Sequence, residues 1–153
     1  MIEYSLLQPP QASQAYDLIR RVYDEFVAPD YPPEGNEHFY TFIQPEVLIR
    51  RFSAPGHFLI TADEGNRLVG VIAVRDNNHI ALLFVDREYQ SRGIARKLLA
   101  EAEERIAAET GKRQATVFSS PYAVPIYQKL GFQNEGPKQT KDGITFQPMK
   151  HLF

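Results

Sequence analysis

The sequence predicts an α/β protein whose central mixed sheet of six to seven strands is flanked by helices. Three observations carry the prediction. Apolar residues repeat with helical spacing before residue 57, give way to strand-length β-prone runs between 57 and 85, and return to helical spacing after Gly93. The middle runs are joined by turns too short for a crossover, which implies a consecutive antiparallel meander of three strands. A strand, a glycine-containing turn, a helix and a further strand come next, and such a unit closes as a right-handed crossover with its strands parallel.

Taken in order, residues 2–7 read as a short first strand ended by Pro9 and Pro10. Ala15, Leu18, Ile19, Val22 and Phe26 then share one helical face, with Gln11 or Ser13 near the helix start. Residues 29–35 read as a loop, because Pro29, Pro32 and Pro33 interrupt any helix. Phe39, Phe42 and Ile43 mark a second helical region, and Pro45 opens a short helix carrying Val47, Leu48 and Phe52. Residues 57–62 and 67–75 are strands joined by Asp63-Glu64-Gly65-Asn66, and Asp76-Asn77-Asn78 turns the chain into a third strand ending at Val85. After Gly93, the residues Leu98, Leu99, Ala102 and Ile106 form an apolar stripe, Glu101 and Arg105 are spaced as an i,i+4 pair, and Gly111 is the stop. Residues 114–118 make the strand after the crossover. Ser119 or Ser120 caps a short helix that holds Pro125 in its first turn and ends at Gly131. Residues 143–149 form a last strand, with 133–135 as its candidate partner.

Composition narrows the classes. A chain of 153 residues without repeats or linkers is expected to form one domain, residues 1–153. The net charge is −2 and no Lys/Arg block occurs, which speaks against nucleic acid as a partner. No stretch is long and apolar enough to span a bilayer, and MIEYSLLQPP lacks a signal-peptide pattern. Zero cysteines exclude disulfides, thiolate metal sites and a cysteine nucleophile, and fit a cytoplasmic location. His38, His57, His79 and His151 are scattered without ligand spacing, so no metal is expected. Ser119 and Ser120 lack the spacing of a Ser-His-Asp nucleophile. The chemistry instead points to residues 79–100, where strand, tight turn and helix start bring free backbone N–H groups and the helix dipole to bear on an anion, usually phosphate.

Two motifs in this order resemble the GCN5-related N-acetyltransferase (GNAT) superfamily. The first, Gln90-Ser91-Arg92-Gly93-Ile94-Ala95, comes after the strand Leu83-Phe84-Val85 and is similar to the family's Q/R-x-x-G-x-G/A acetyl-CoA signature. The second is Ala123, Tyr127, Gly131 and Phe132, similar to A-x-x-x-Y-x-x-x-G-F. The resemblance implies the GNAT fold and acetyl-CoA as cosubstrate. It implies that backbone donors from Ser91 to Arg96 meet the pyrophosphate, with Gly93 permitting close approach and Arg92 and Arg96 adding positive charge. The edge of Leu83, Phe84 and Val85 would pair the pantetheine amides as a neighbouring strand does. A bulge and a splay between the fourth and fifth strands would open that edge, with Asp86 or its neighbours at the bulge.

The implied reaction is direct attack of an amine on the thioester, with a strand N–H near Val85 facing the oxyanion and Tyr127 as the acid that protonates the leaving thiolate. Taken alone, Tyr127 would be a packed tyrosine, and its role rests on the motif. Phe118 stands where many relatives place an asparagine that bonds the cofactor arm. Glu34, Glu37, Asp76 and Asp86 are the candidate bases by chemistry alone. Tyr31, Phe39, Tyr40 and Phe42 either line an acceptor pocket or pack as core. The acceptor amine, the acyl length and the oligomeric state stay open, a homodimer being common in such families. The rival to an enzyme is an acetyl-CoA-binding sensor or interaction domain without turnover.

Overall fold

A computed structural model describes residues 1–153. Its strands are β1 (Ile2–Leu6), β2 (Phe58–Glu64), β3 (Arg67–Arg75), β4 (His79–Val85), β5 (Gln114–Ser119), β6 (Gln133–Asn134), β7 (Gln139–Lys141) and β8 (Ile144–Leu152). Its helices are α1 (Ala12–Phe26), α2 (Pro33–Phe42), α3 (Pro45–Phe52), α4 (Ile94–Thr110) and α5 (Val124–Lys129). The sheet runs β1-β2-β3-β4-β5-β8-β6, with β7 paired to β8 beside this path. All neighbours are antiparallel except β4 and β5. The meander and the parallel crossover are therefore present, and no helix is long and apolar enough to cross a membrane.

Both faces of the sheet are covered, which explains why β3 reads as a nearly unbroken apolar run. On one face Leu18, Ile19, Val22 and Leu48 of α1 and α3 pack with Leu59, Val71 and Leu82. On the other, Ile94, Leu98, Ala102 and Ile106 of α4 pack with Val69, Ile72, Val117 and Met149. The apolar stripe read for α4 is this buried face, and Gly111 ends the helix at φ 75°.

Four local expectations change. Residues 29–35 are not a continuous loop: a 3-10 turn covers Ala28–Asp30, and α2 starts at Pro33. Pro32 is extended (ψ 157°), and Pro33 enters the first turn, where its missing N–H has no helical partner to lose. Gly35 lies in that turn because β8 presses on it; a Cβ there would sit 3.0 Å from Ile144 Cγ1. Arg105 pairs with Glu109 at 3.2 Å instead of Glu101, and its guanidinium covers the Phe58 ring at 5.4 Å. Gln139–Lys141 adds an unforeseen strand, wholly exposed and polar, so no period-2 apolar signal marks it. Finally, neither serine expected to cap α5 does so: Ala123 holds the cap position without a side-chain bond, Ser120 accepts from Ala123 N at 3.3 Å in the turn before it, and Ser119 remains in β5.

The approach of α4 to β3 fixes where the helix begins. Gly70 faces Val85 across the ladder, and a Cβ on it would lie 3.1 Å from Leu98 Cδ1 and 3.3 Å from Ile94 Cγ2. Gly70→Val should therefore push the first turns of α4 outward and lower unfolding stability by about 1–3 kcal/mol. Chemical denaturation compared with wild type checks this.

Candidate functional site

The site begins where β4 loses its parallel neighbour. β4 pairs with β3 throughout, but with β5 only through His79–Thr116 and Ile80–Val117. Ala73 faces Leu82 while Val74 faces Ile80, which leaves Ala81 as an extra residue in β4. Such a bulge bends its strand and ends pairing locally. Beyond it, a cavity of about 590 Å³ separates Leu83, Phe84 and Val85 from Val117, Phe118 and Tyr127.

This corrects the expected bulge at Asp86. Asp86 lies past the end of β4, buried, with its N–H donating to Val69 O at 2.8 Å. Its carboxylate accepts from Glu88 N at 3.1 Å and pairs with Arg21 at 2.9 Å and Arg67 at 3.2 Å. Burial alone would raise its pKa, but the Glu88 N–H and the two guanidiniums outweigh that and hold it below the ordinary carboxylate range. Asp86 thus caps the 3-10 turn Arg87–Tyr89 and is unsuited to accept a proton.

The chain next turns sharply. Ser91 has φ 64° and Gly93 φ 81°, left-handed values on either side of Arg92. Glycine adopts this backbone freely, and a Cβ at Gly93 would meet nothing within 4 Å, so the turn is open on that side. From Ser91 to Arg96 no backbone N–H donates to another protein group; the first bond of the helix is Lys97 N to Gly93 O, 3.0 Å. Six consecutive free donors at a helix start make an anion-binding concavity.

Of the residues expected to hold the cofactor, Leu83, Phe84, Val85, Gln90, Ser91, Gly93, Ile94, Ala95 and Arg96 line this one cavity, as does Tyr127. Arg92 does not; its guanidinium stacks over Tyr89 at 4.7 Å. The Gln90 side chain donates to Val85 O at 3.1 Å and ties the turn back to β4. Arg96 donates to Lys129 O at 2.8 Å, so α4 and α5 meet at a basic rim.

Tyr127 is buried on α5 with its ring edge-on to Phe132 at 5.2 Å. Burial pushes its phenol pKa up, which keeps the hydroxyl protonated at neutral pH. No protein group bonds that hydroxyl, and the cavity is what it faces.

The remaining candidates separate clearly. Asp76 sits in the β3–β4 turn, paired with Arg75, and Glu37 is exposed outside the cavity. Glu34 lies on an adjoining cavity with His38, Lys141 and Asp142. Tyr31, Phe39 and Phe42 line the main cavity, whereas Tyr40 bonds Asp24 and carries Arg20 over its ring at 3.6 Å. His38, Tyr122 and Lys129 also line it, beyond the residues that sequence reasoning pointed to. Tyr122 immediately precedes the second motif and Lys129 lies within it, which was the available signal; His38 had none beyond its residue type.

A sequence profile described as "Acetyltransferase (GNAT) domain" matches residues 27–153. Among solved structures, a PaiA N-acetyltransferase from Thermoplasma acidophilum in complex with coenzyme A is 22% identical, with TM-score 0.81 over 100% of this chain and 99% of that one. A GCN5-related N-acetyltransferase from Rhodopseudomonas palustris is 21% identical, with TM-score 0.80 over 99% and 95% of the two chains. An aminoglycoside 6'-N-acetyltransferase complexed with coenzyme A is 15% identical, with TM-score 0.73 over 98% and 96%. No curated protein sequence matches the chain.

His79 stands at the point where the strands part. It is 9% exposed, bonds Thr116 Oγ1 through Nδ1 at 2.8 Å and packs against the Phe118 ring at 4.5 Å. Burial, reinforced by Arg75 and opposed by Asp76, pushes its pKa down to about 4. A folded-state pKa below the unfolded value of about 6.5 means that protonation favours unfolding. The contribution is present in full above that unfolded value and is lost as pH falls toward 4. Stability should drop by about 2 kcal/mol between pH 7.5 and 5, and His79→Gln should flatten this slope in denaturant titrations.

Proposed function

The chain belongs to the GNAT acetyltransferase family, and on that premise we propose that it transfers the acetyl group of acetyl-CoA to a primary amine by direct attack. One observation carries the reading: β4 leaves one edge unpaired and, one 3-10 turn later, the chain presents six free N–H donors at the start of α4. That sequence of surfaces matches the shape of the donor. The β4 edge offers a strand's hydrogen bonds to the pantetheine amides, and the turn at Ser91–Arg96 offers N–H groups and the helix dipole to the pyrophosphate. Arg96 and Lys129 add positive charge at the rim. Arg92, stacked on Tyr89, contributes to this field from outside the cavity.

The thioester would then lie in the cavity that Val85 and Tyr127 both line. As the amine nitrogen attacks, a C–N bond forms, the carbonyl oxygen gains charge and the C–S bond breaks. A β4 N–H near Val85 stabilises the oxyanion. Nitrogen loses a proton as it becomes an amide and sulfur gains one, so the step is proton-neutral overall. Tyr127, protonated at neutral pH, would give its proton to the sulfur; burial weakens the phenol as an acid, and the same desolvated cavity disfavours the thiolate charge that the proton removes.

Tyr127→Phe should lower kcat on the order of 10²-fold with little change in acetyl-CoA affinity. Thiol release in the presence of amines gives the rate and calorimetry the affinity. An unchanged kcat under conditions where chemistry limits the rate removes Tyr127 from the mechanism. Tight acetyl-CoA binding without release on any amine favours a sensor domain.

A further inference from the structure

We infer that the acceptor is an amine with a single cationic centre on an aromatic or aliphatic body, and that His38 takes the proton it must lose before attack. This rests on the acetyl-transfer reading above and concerns the end of the cavity away from Arg96 and Lys129.

That end is walled by rings. Tyr23 and Phe39 stack at 3.9 Å between centroids, and Phe84 lies 6.1 Å from Phe39. Across the gap, Phe118 remains 52% exposed beside Phe146, at 4.9 Å. The polar atoms of the tyrosines are turned away: Tyr23 donates to Asn36 Oδ1 at 2.8 Å and Tyr31 to Thr145 O at 3.2 Å. Rings facing a cavity with their hydroxyls satisfied elsewhere present apolar faces to whatever enters.

Charge makes the choice sharper. No Asp or Glu lines the cavity, and its fixed charges, Arg96 and Lys129, are both positive. A second ammonium on the acceptor would be desolvated there without a counter-ion, at a marked cost in binding. A polycation is therefore disfavoured by the wall itself.

The amine nevertheless arrives protonated, and the route for that proton is visible. His38, Gly35 and Ile144 line both this cavity and the adjoining one, whose other lining includes Glu34, Lys141 and Asp142. Two carboxylates and one ammonium leave this outer mouth mildly acidic, suited to one incoming cation. His38 stands between the mouth and the rings and is itself exposed, so a proton it accepts passes on to water. Imidazole is the side chain suited to such transfer near neutral pH. The charged groups facing His38 are Glu34 on its own helix and Lys141 and Asp142 on the β7–β8 hairpin.

The test is steady-state acetylation of 2-phenylethylamine, tryptamine and hexylamine against spermidine, kanamycin and a lysine-rich peptide. The expected result is a kcat/KM at least about tenfold higher for the first group, the size of effect one uncompensated charge produces. On the preferred amine, His38→Ala should lower kcat on the order of 10²-fold at unchanged acetyl-CoA affinity, and free imidazole should restore part of it. Preference for the polycations overturns the acceptor class while acetyl transfer itself stands. Wild-type kcat in His38→Ala, or a loss that imidazole does not relieve, overturns the role of His38. Transfer to no member of either group overturns the acetyl-transfer reading and this inference with it.

Discussion

The parallel pairing of β4 and β5 stops after two residue pairs, and the candidate site depends on that stop. Had the ladder continued, Leu83, Phe84 and Val85 would spend their edge on β5 and no cavity would exist. The Ala81 bulge bends β4 away, while β5 stays registered with β8 from Gln114–Leu152 to Ser119–Gln147. One strand is thus held straight by its antiparallel partner while the other departs. The opening is a property of the fold and is not left to a mobile loop.

The segment after β4 is held as firmly as the split itself. Asp86 is buried between Arg21 of α1 and Arg67 of β3, and it caps the turn that leads into Gln90. Its partners remain half exposed, so the ion pairs cost less desolvation than a wholly buried set. Gly70 lets Ile94 and Leu98 settle directly on β3, which sets the start of α4 beside the end of β4. The free N–H groups of Ser91–Arg96 are then aimed by packing on one side and by charge on the other.

The proposed donor side was legible because it is local. A strand, Gly93 in a left-handed turn and a helix lie close together in the chain, and each has a sequence signature. Tyr127 was legible only through a motif, since nothing in periodicity separates it from a packed tyrosine. The bulge was not legible, because Ala81 has no preference that marks it and the shift arises from pairing with Ala73 and Val74. The proposed acceptor side was equally hidden: Gly35 meets Ile144 and Tyr31 meets Thr145 from opposite ends of the chain. Prolines 32 and 33 suggested a loop, but a helix forms there, with its Phe39 stacked on Tyr23 of α1 and its Gly35 against Ile144 of β8. His38 becomes visible as a candidate only when α2 is set between the two cavities.

In this reading the cofactor replaces β5 along the open edge of β4 and seats its phosphates on the turn beyond. Amide hydrogen exchange with and without acetyl-CoA tests that directly. Acetyl-CoA should bring new protection in β4 after the bulge, at Leu83 to Val85, and at Ser91 to Arg96, with little change in β1, α3 and β2. Protection that spares these two segments, or falls chiefly on the β7–β8 hairpin, would contradict it.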